Sequence, residues 1–118
     1  MCDVPRFLYA QGKHGWIWRL MIHHPTGCDV LARSARYYPD EAACRASSHH
    51  LTELRPDRIH ALQSDDGTWG WRGYDPGGEV AFVSPTTFPT ARHCQLEIVR
   101  LRAVVENGMI DRLYRGHQ

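Results

Sequence analysis

The groups best able to do chemistry in this 118-residue sequence are its thirteen arginines, eight histidines and four cysteines. Their spacing decides which chemistry is open to them. The cysteines stand at Cys2, Cys28, Cys44 and Cys94. None forms a Cys-x-x-Cys pair, so the sequence holds no zinc knuckle and no thioredoxin-type motif. The histidines are His14, His23, His24, His49, His50, His60, His93 and His117, and the two adjacent pairs suggest a metal. Neighbours on a strand point to opposite faces, however, and neighbours on a helix diverge by about 100°. Neither pair can readily chelate one ion alone. There is no His-Glu-x-x-His and no compact Cys/His cluster. The histidines read as surface groups. A Gly-rich phosphate loop, a nucleophile elbow and a kinase-type signature are all missing. Cys44 and Cys94 fall in the first turns of expected helices, where a thiolate can be stabilised, but on an apolar stripe that buries them as inert thiols. The expectation is a protein without catalytic residues, metal site or cofactor, and not an enzyme.

The arginines leave recognition open. Only Lys13 breaks their monopoly among the fourteen basic residues. Guanidinium forks suit phosphates and carboxylates, although the base composition of a genome can produce the same bias. Thirteen acidic residues leave a net charge of +1, which argues against a strongly basic nucleic-acid arm and against an acidic tail. The charge is uneven: residues 1–38 carry five basic and two acidic groups, and residues 57–88 carry two basic and five acidic ones. Such a dipolar surface favours an oriented partner or self-association. Hydrophobic residues at 42% and charged residues at 23% are ordinary for a globular domain. The longest apolar run is four residues, far short of the ~20 of a membrane helix. The first residues lack an apolar signal core, so a cytoplasmic protein with reduced thiols is expected.

An internal repeat organises the elements that must position these groups. Gly15-Trp16-Ile17-Trp18-Arg19 returns as Gly67-Thr68-Trp69-Gly70-Trp71-Arg72. Arg6 and Gln11 match Arg58 and Gln63 at an offset of 52, and Gly27, Val30, Ser34, Pro39, Cys44 and Leu51 return 50 residues later. Both changes of offset fall beside glycine, where hairpin turns belong. Phe7–Gln11, Trp16 to about His23 and Val30–Ala35 read as strands in the first copy. Ile59–Gln63, Trp69–Tyr74 and Val80–Ser84 read as strands in the second. Asp66-Gly67 is a strong hairpin signal. Asp40 and Thr90 are good helix N-caps, with Pro39 and Pro89 just outside. Cys44, Ser47, Leu51 and Leu54 form the first helical stripe, ended by Arg55-Pro56. Cys94, Ile98, Leu101, Val104 and Val105 form the second, with Asn107-Gly108 as its C-cap. The fold class is α+β: a duplicated β-β-β-α unit, its antiparallel sheet packed against two helices, related by an approximate twofold. It forms one domain, residues 1–118, of repeats about 6–55 and 58–108 with a short tail at 109–118.

This arrangement resembles the YegP-like family of small bacterial and archaeal proteins. The resemblance rests on the aromatic-x-aromatic-Arg strands Trp16-Ile17-Trp18-Arg19 and Trp69-Gly70-Trp71-Arg72 and on the turns Pro25-Thr26-Gly27 and Pro76-Gly77-Gly78. It also rests on Ser34 and Ser84, and on the aromatics Tyr38 and Phe88 before the helices. It covers about residues 6–106. It implies a β-β-β-α fold paired within one chain or between chains, and it brings no known activity or catalytic residues. Tryptophan where phenylalanine is commoner, the bare Gly73 after Arg72 and the tail after Gly108 depart from the pattern.

Alternation then sorts the strand residues. Trp16, Trp18, Leu20 and Ile22 share one face of their strand, as do Trp69 and Trp71. A stacking platform for bases is one use of such a face. A core layer under the helices is the better one, because Leu20 and Ile22 continue it. The expected core is Trp16, Trp18, Trp69, Trp71, Leu51 and Leu101. The opposite face carries Arg19, Met21, Arg72 and Tyr74, the candidate interaction surface. The leading expectation is a small non-catalytic interaction or assembly module with a protein partner. It is either a monomer holding an internal pseudo-dimer or a homodimer. The alternative is a weak nucleic-acid binder in which Arg19, Arg33, Arg36, Arg92, Arg100 and Arg102 converge on one face. No membrane association is expected.

Overall fold

In the computed structural model, residues 5–106 are described. Three strands, β1 (Pro5–Gly12), β2 (Gly15–His24) and β3 (Gly27–Ser34), lead into helix α1 (Glu41–Thr52). A short 3-10 turn at Pro56–Arg58 follows. Then come β4 (Ile59–Gln63), β5 (Trp69–Tyr74), β6 (Val80–Val83) and helix α2 (Ala91–Glu106). All six strands join one antiparallel sheet in the order β1-β2-β3-β6-β5-β4. The central seam is short, with Arg33 opposite Val83 and Ser34 opposite Phe82.

The hairpins differ in length. Two residues, Lys13 and His14, join the Gly12–Gly15 pair of the first hairpin, whereas the longer Ser64–Thr68 loop joins Gln63 to Trp69. The β2–β3 hairpin runs on past the Met21–Val30 pair to Gly27, but β5–β6 stops at Tyr74–Val80 and turns at once. A register shift recurs at matching places, between Leu20 and Met21 and between Gly73 and Tyr74. It leaves Leu31 and Ala81 as extra residues in β3 and β6, both buried. This is a β-bulge, and it resets the inside–outside alternation after it.

After β3 the chain crosses the head of β2, where Trp16 and Tyr38 exchange two backbone hydrogen bonds of 2.7 Å. Trp69 and Phe88 make the same exchange at 2.8 and 2.7 Å. Gly15 lies in the path of that crossing. Its φ is +126°, and a Cβ there would come within 2.5 Å of the Tyr38 carbonyl oxygen, so only glycine fits. Both helices start at their expected caps. The Asp40 carboxylate accepts from the Ala43 N–H at 2.8 Å, and the Thr90 hydroxyl accepts from the His93 N–H at 3.1 Å.

Helix α1 ends earlier than the sequence pattern suggests, at Thr52 and not at Arg55. The Glu53 N–H turns back to the His50 carbonyl, and Leu54 packs on the core from the connection beyond the helix. The C-cap expected at Asn107-Gly108 lies outside the described residues.

Both helices lie on one face of the sheet. Trp18, Leu20, Leu51, Cys44, Cys94 and Leu101 are fully buried between the layers, and Trp71 is 2% exposed. Trp16 and Trp69 are half-buried and flank this core. Phe82 sits between the two inner tryptophans, its ring 6.3 Å from Trp18 and 5.9 Å from Trp71. The ion pair of Asp29 with Arg100, 3.0 Å, ties β3 to α2. Arg100, with His24, holds the Asp29 carboxyl below its ordinary value.

The polar atoms under α1 are shared out closely. The Trp18 indole donates to Ser47 at 3.1 Å, and Ser47 also bonds the Tyr38 hydroxyl. The Tyr9 hydroxyl bonds Ser48 at 2.7 Å, and the Arg45 guanidinium lies over the Tyr9 ring. Under α2 the Trp71 indole N–H is buried with no partner among the described residues.

Cys28, Cys44 and Cys94 are free thiols, Cys28 exposed and the other two buried. Burial pushes the Cys44 thiol up to about 11 and raises that of Cys94. In a Cys2→Ser variant at neutral pH, a thiol reagent should therefore modify one cysteine of the native protein and three after unfolding in denaturant. Fast modification of all three in the native state would contradict the buried placement.

Candidate functional site: the open face of the sheet

With both helices on one side, the other side of the sheet has no covering layer among the described residues. Strand pairing sets out what it presents. One register line crosses all six strands: Leu8, Arg19, Arg33, Val83, Arg72 and His60 stand opposite one another in turn. The next line brings Arg6, Met21 and Val30 together on one side and Tyr74 and Val80 on the other. The four residues expected to form an interaction surface do share this face. Arg72 is exposed, while Arg19, Met21 and Tyr74 are half-buried.

Arg33 belongs with them, and alternation alone conceals it. Val30 and Arg33 are three residues apart, so an unbroken strand would send them to opposite faces. The bulge at Leu31-Ala32, both buried, turns Arg33 back onto the face of Val30. The signal in the sequence is the pair of adjacent apolar residues inside an otherwise alternating strand.

Arg19 and Arg33 stand directly opposite each other. Like charges in that position weaken a sheet unless something neutralises them. No carboxylate among the described residues does so. Among the described residues, Arg6, Arg19, Arg33 and Arg72 make no ion pair and no side-chain hydrogen bond. The strands put no Asp or Glu on this face: Asp29, their single acidic residue, lies opposite Ile22 on the helix side and pairs with Arg100. Arg36 at the rim is occupied by the Val80 carbonyl at 3.1 Å and by Glu79.

The arginines edge two shallow depressions that meet at Arg33 and Pro85. One, of about 380 Å³, lies between Arg19 and Arg33 and is bounded by Ile17, Val30 and Tyr37. The other, of about 430 Å³, lies between Arg33 and Arg72 and is bounded by Leu62 and Val83. The arrangement offers guanidinium forks beside apolar side chains, suited to binding carboxylates or phosphates.

The wider arginine cluster does not form. Arg19 and Arg33 are neighbours and Arg36 lies at their rim, but Arg92, Arg100 and Arg102 stand on α2, across the sheet, with Arg100 bound to Asp29. The histidines are dispersed too. Among the described residues, no group of three or more His, Cys, Asp or Glu is placed to hold a metal ion. No helix among them is long and apolar enough to cross a membrane.

The combination of a six-stranded antiparallel sheet, strand order β1-β2-β3-β6-β5-β4, and two helices on one face can be set against known structures. The solution structure of yegP from E. coli, a protein of unknown function, superposes with a TM-score of 0.73 over 89% of each chain. The fold is YegP-like. A UPF0339 protein from Shewanella oneidensis gives a TM-score of 0.68, covering 92% of this chain and 86% of its own. Both are 12% identical to this sequence, so the YegP-like likeness concerns the fold alone. No family model and no curated protein matches the chain.

Proposed function

We propose that this YegP-like chain is a non-catalytic interaction module that docks a protein partner on the open face of its sheet. One observation carries the reading: Arg19, Arg33 and Arg72 lie in a single line across a sheet face that the described residues leave uncovered, with no carboxylate among those residues to neutralise them. Unneutralised arginines opposite each other cost stability, and a partner's anionic groups would remove that cost. The reading includes an internal duplication of the β-β-β-α unit, with a twofold axis between β3 and β6. The matched Trp16–Tyr38 and Trp69–Phe88 bridges support it. So do the hydroxyls of Ser34 and Ser84, which accept from the backbone N–H groups of Trp18 and Trp71. Free Cys28, Cys44 and Cys94 suit a reducing, cytoplasmic setting.

Photo-cross-linking in living cells tests the docking face. A photoreactive residue placed at Leu62, on the open face and 41% exposed, should give a discrete adduct that Arg33→Gln removes. The same residue at Leu96, on the outer side of α2 and 56% exposed, should give none. An adduct from Leu96 alone, or a Leu62 adduct indifferent to Arg33→Gln, would refute the reading.

A further inference from the structure

What docks on the open face can be narrowed by charge and by surface chemistry. A second copy presenting the same face would set one arginine-bearing face against another, with no carboxylate from the strands of either copy to separate them. Single-stranded nucleic acid needs aromatic planes for its bases. Here the four tryptophans lie on the helix side, and among the described residues the open face offers only Tyr74 and His60, 5.7 Å apart toward the β4 edge, and Tyr37 at the opposite rim, with no aromatic ring between Arg19 and Arg72 along the line. The spaces between the arginines are lined by Ile17, Val30, Val83 and Leu62 as well as by Ser64, Thr86 and Thr87, and a polyphosphate backbone would leave the apolar part uncovered. A ligand that alternates carboxylates with apolar side chains satisfies both parts of the surface.

We infer that the open face takes an acidic amphipathic helix of a partner protein, lying across the strands. This rests on the docking reading above and adds the class of partner. Strands are spaced by ~4.8 Å, so along the line Arg33 stands ~5 Å from Arg19, and Arg72 stands ~14 Å from it. On an α-helix, carboxylates at i, i+4 and i+11 fall within ~40° of one another and rise by ~6 and ~16 Å. The two sets of spacings agree within the reach of an arginine side chain. Arg33, shared by both depressions, is the central contact. Leucines beside the carboxylates enter the depressions and cover Ile17 and Leu62.

Fluorescence anisotropy with labelled synthetic probes tests this on the full chain. The probes are a helical peptide with Glu at i, i+4 and i+11 among leucines, its Gln counterpart, and an oligothymidylate of similar length. The acidic peptide should bind at low salt, at least tenfold tighter than either other probe. Arg33→Gln should weaken it at least tenfold, in a variant that keeps the native tryptophan fluorescence. Equal binding of the Gln peptide, or no binding of the acidic one, overturns the inference. Tighter binding of the oligonucleotide that Arg33→Gln abolishes overturns the helix but leaves the docking face standing. Binding of the acidic peptide that survives Arg19→Gln, Arg33→Gln and Arg72→Gln together overturns the docking face itself.

Discussion

Replacing Gly73 with leucine should destabilise the protein, and combining it with Phe82→Ala should cost less than the two changes cost separately. Gly73 stands opposite Phe82, and a Cβ at Gly73 would lie 2.2 Å from the Phe82 ring. The ring occupies the space that a side chain on β5 would take. At the matching pair on β2 and β3 the sizes are exchanged, with Leu20 opposite Ala32, and both are fully buried. Phe82→Ala alone removes the ring that touches Trp18 and Trp71, at a cost of about 3–5 kcal/mol. Gly73→Leu alone forces a clash in a packed core, which costs about 1–3 kcal/mol or more. Together they recreate the Leu20–Ala32 arrangement. Urea unfolding of the four proteins should show the double variant more stable than the sum of the singles predicts by about 2 kcal/mol, within the range for residues in contact. Additive losses would mean that the two positions do not share one space.

Trp18→Ala and Trp71→Ala should each cost about 3–5 kcal/mol, the usual loss for a buried large aromatic. A domain of this size has roughly 5–15 kcal/mol in total, so either change brings it near unfolding. Milder changes separate the two sites. Trp18→Phe removes a buried donor and leaves Ser47 short of one partner, whereas Trp71→Phe removes an indole N–H that has none among the described residues. The first should therefore cost more than the second by about 1–2 kcal/mol. Unfolding midpoints of the four variants measure this. A Trp71→Phe variant less stable than Trp18→Phe would contradict the assignment of the unpartnered donor.

Much of the fold can be read locally. Ile59–Gln63 and Trp69–Tyr74 are bounded by turn residues on both sides, and the helix caps Asp40 and Thr90 announce themselves by type. Alternation also separates Trp18 from Arg19 and Trp71 from Arg72 without any tertiary information. What is not legible depends on contacts between distant segments. The seam of β3 with β6 rests on two residue pairs, and nothing near Arg33 or Val83 in the sequence specifies it. The bulges hide Arg33, because inserting Leu31 changes which face follows. The buried hydroxyls of Ser47 and Ser48 read as ordinary small helical residues until Trp18, Tyr38 and Tyr9 are brought over them. The end of α1 is not legible because Arg55-Pro56 marks only where a helix must stop, and the chain turns before that point.

On the proposed reading, the tryptophan side of the sheet holds the fold together and the arginine side is kept for a partner. The urea unfolding midpoint of an Arg19→Gln, Arg33→Gln, Arg72→Gln variant tests this most directly. These arginines make no ion pair or side-chain hydrogen bond among the described residues, and two of them stand opposite each other. Their replacement should leave the midpoint unchanged or raise it, most clearly at low salt where the repulsion is least screened. A midpoint lowered by the equivalent of more than about 1 kcal/mol, beyond the usual ±0.5 kcal/mol of a surface change, would show that the arginines support the fold and would contradict the account.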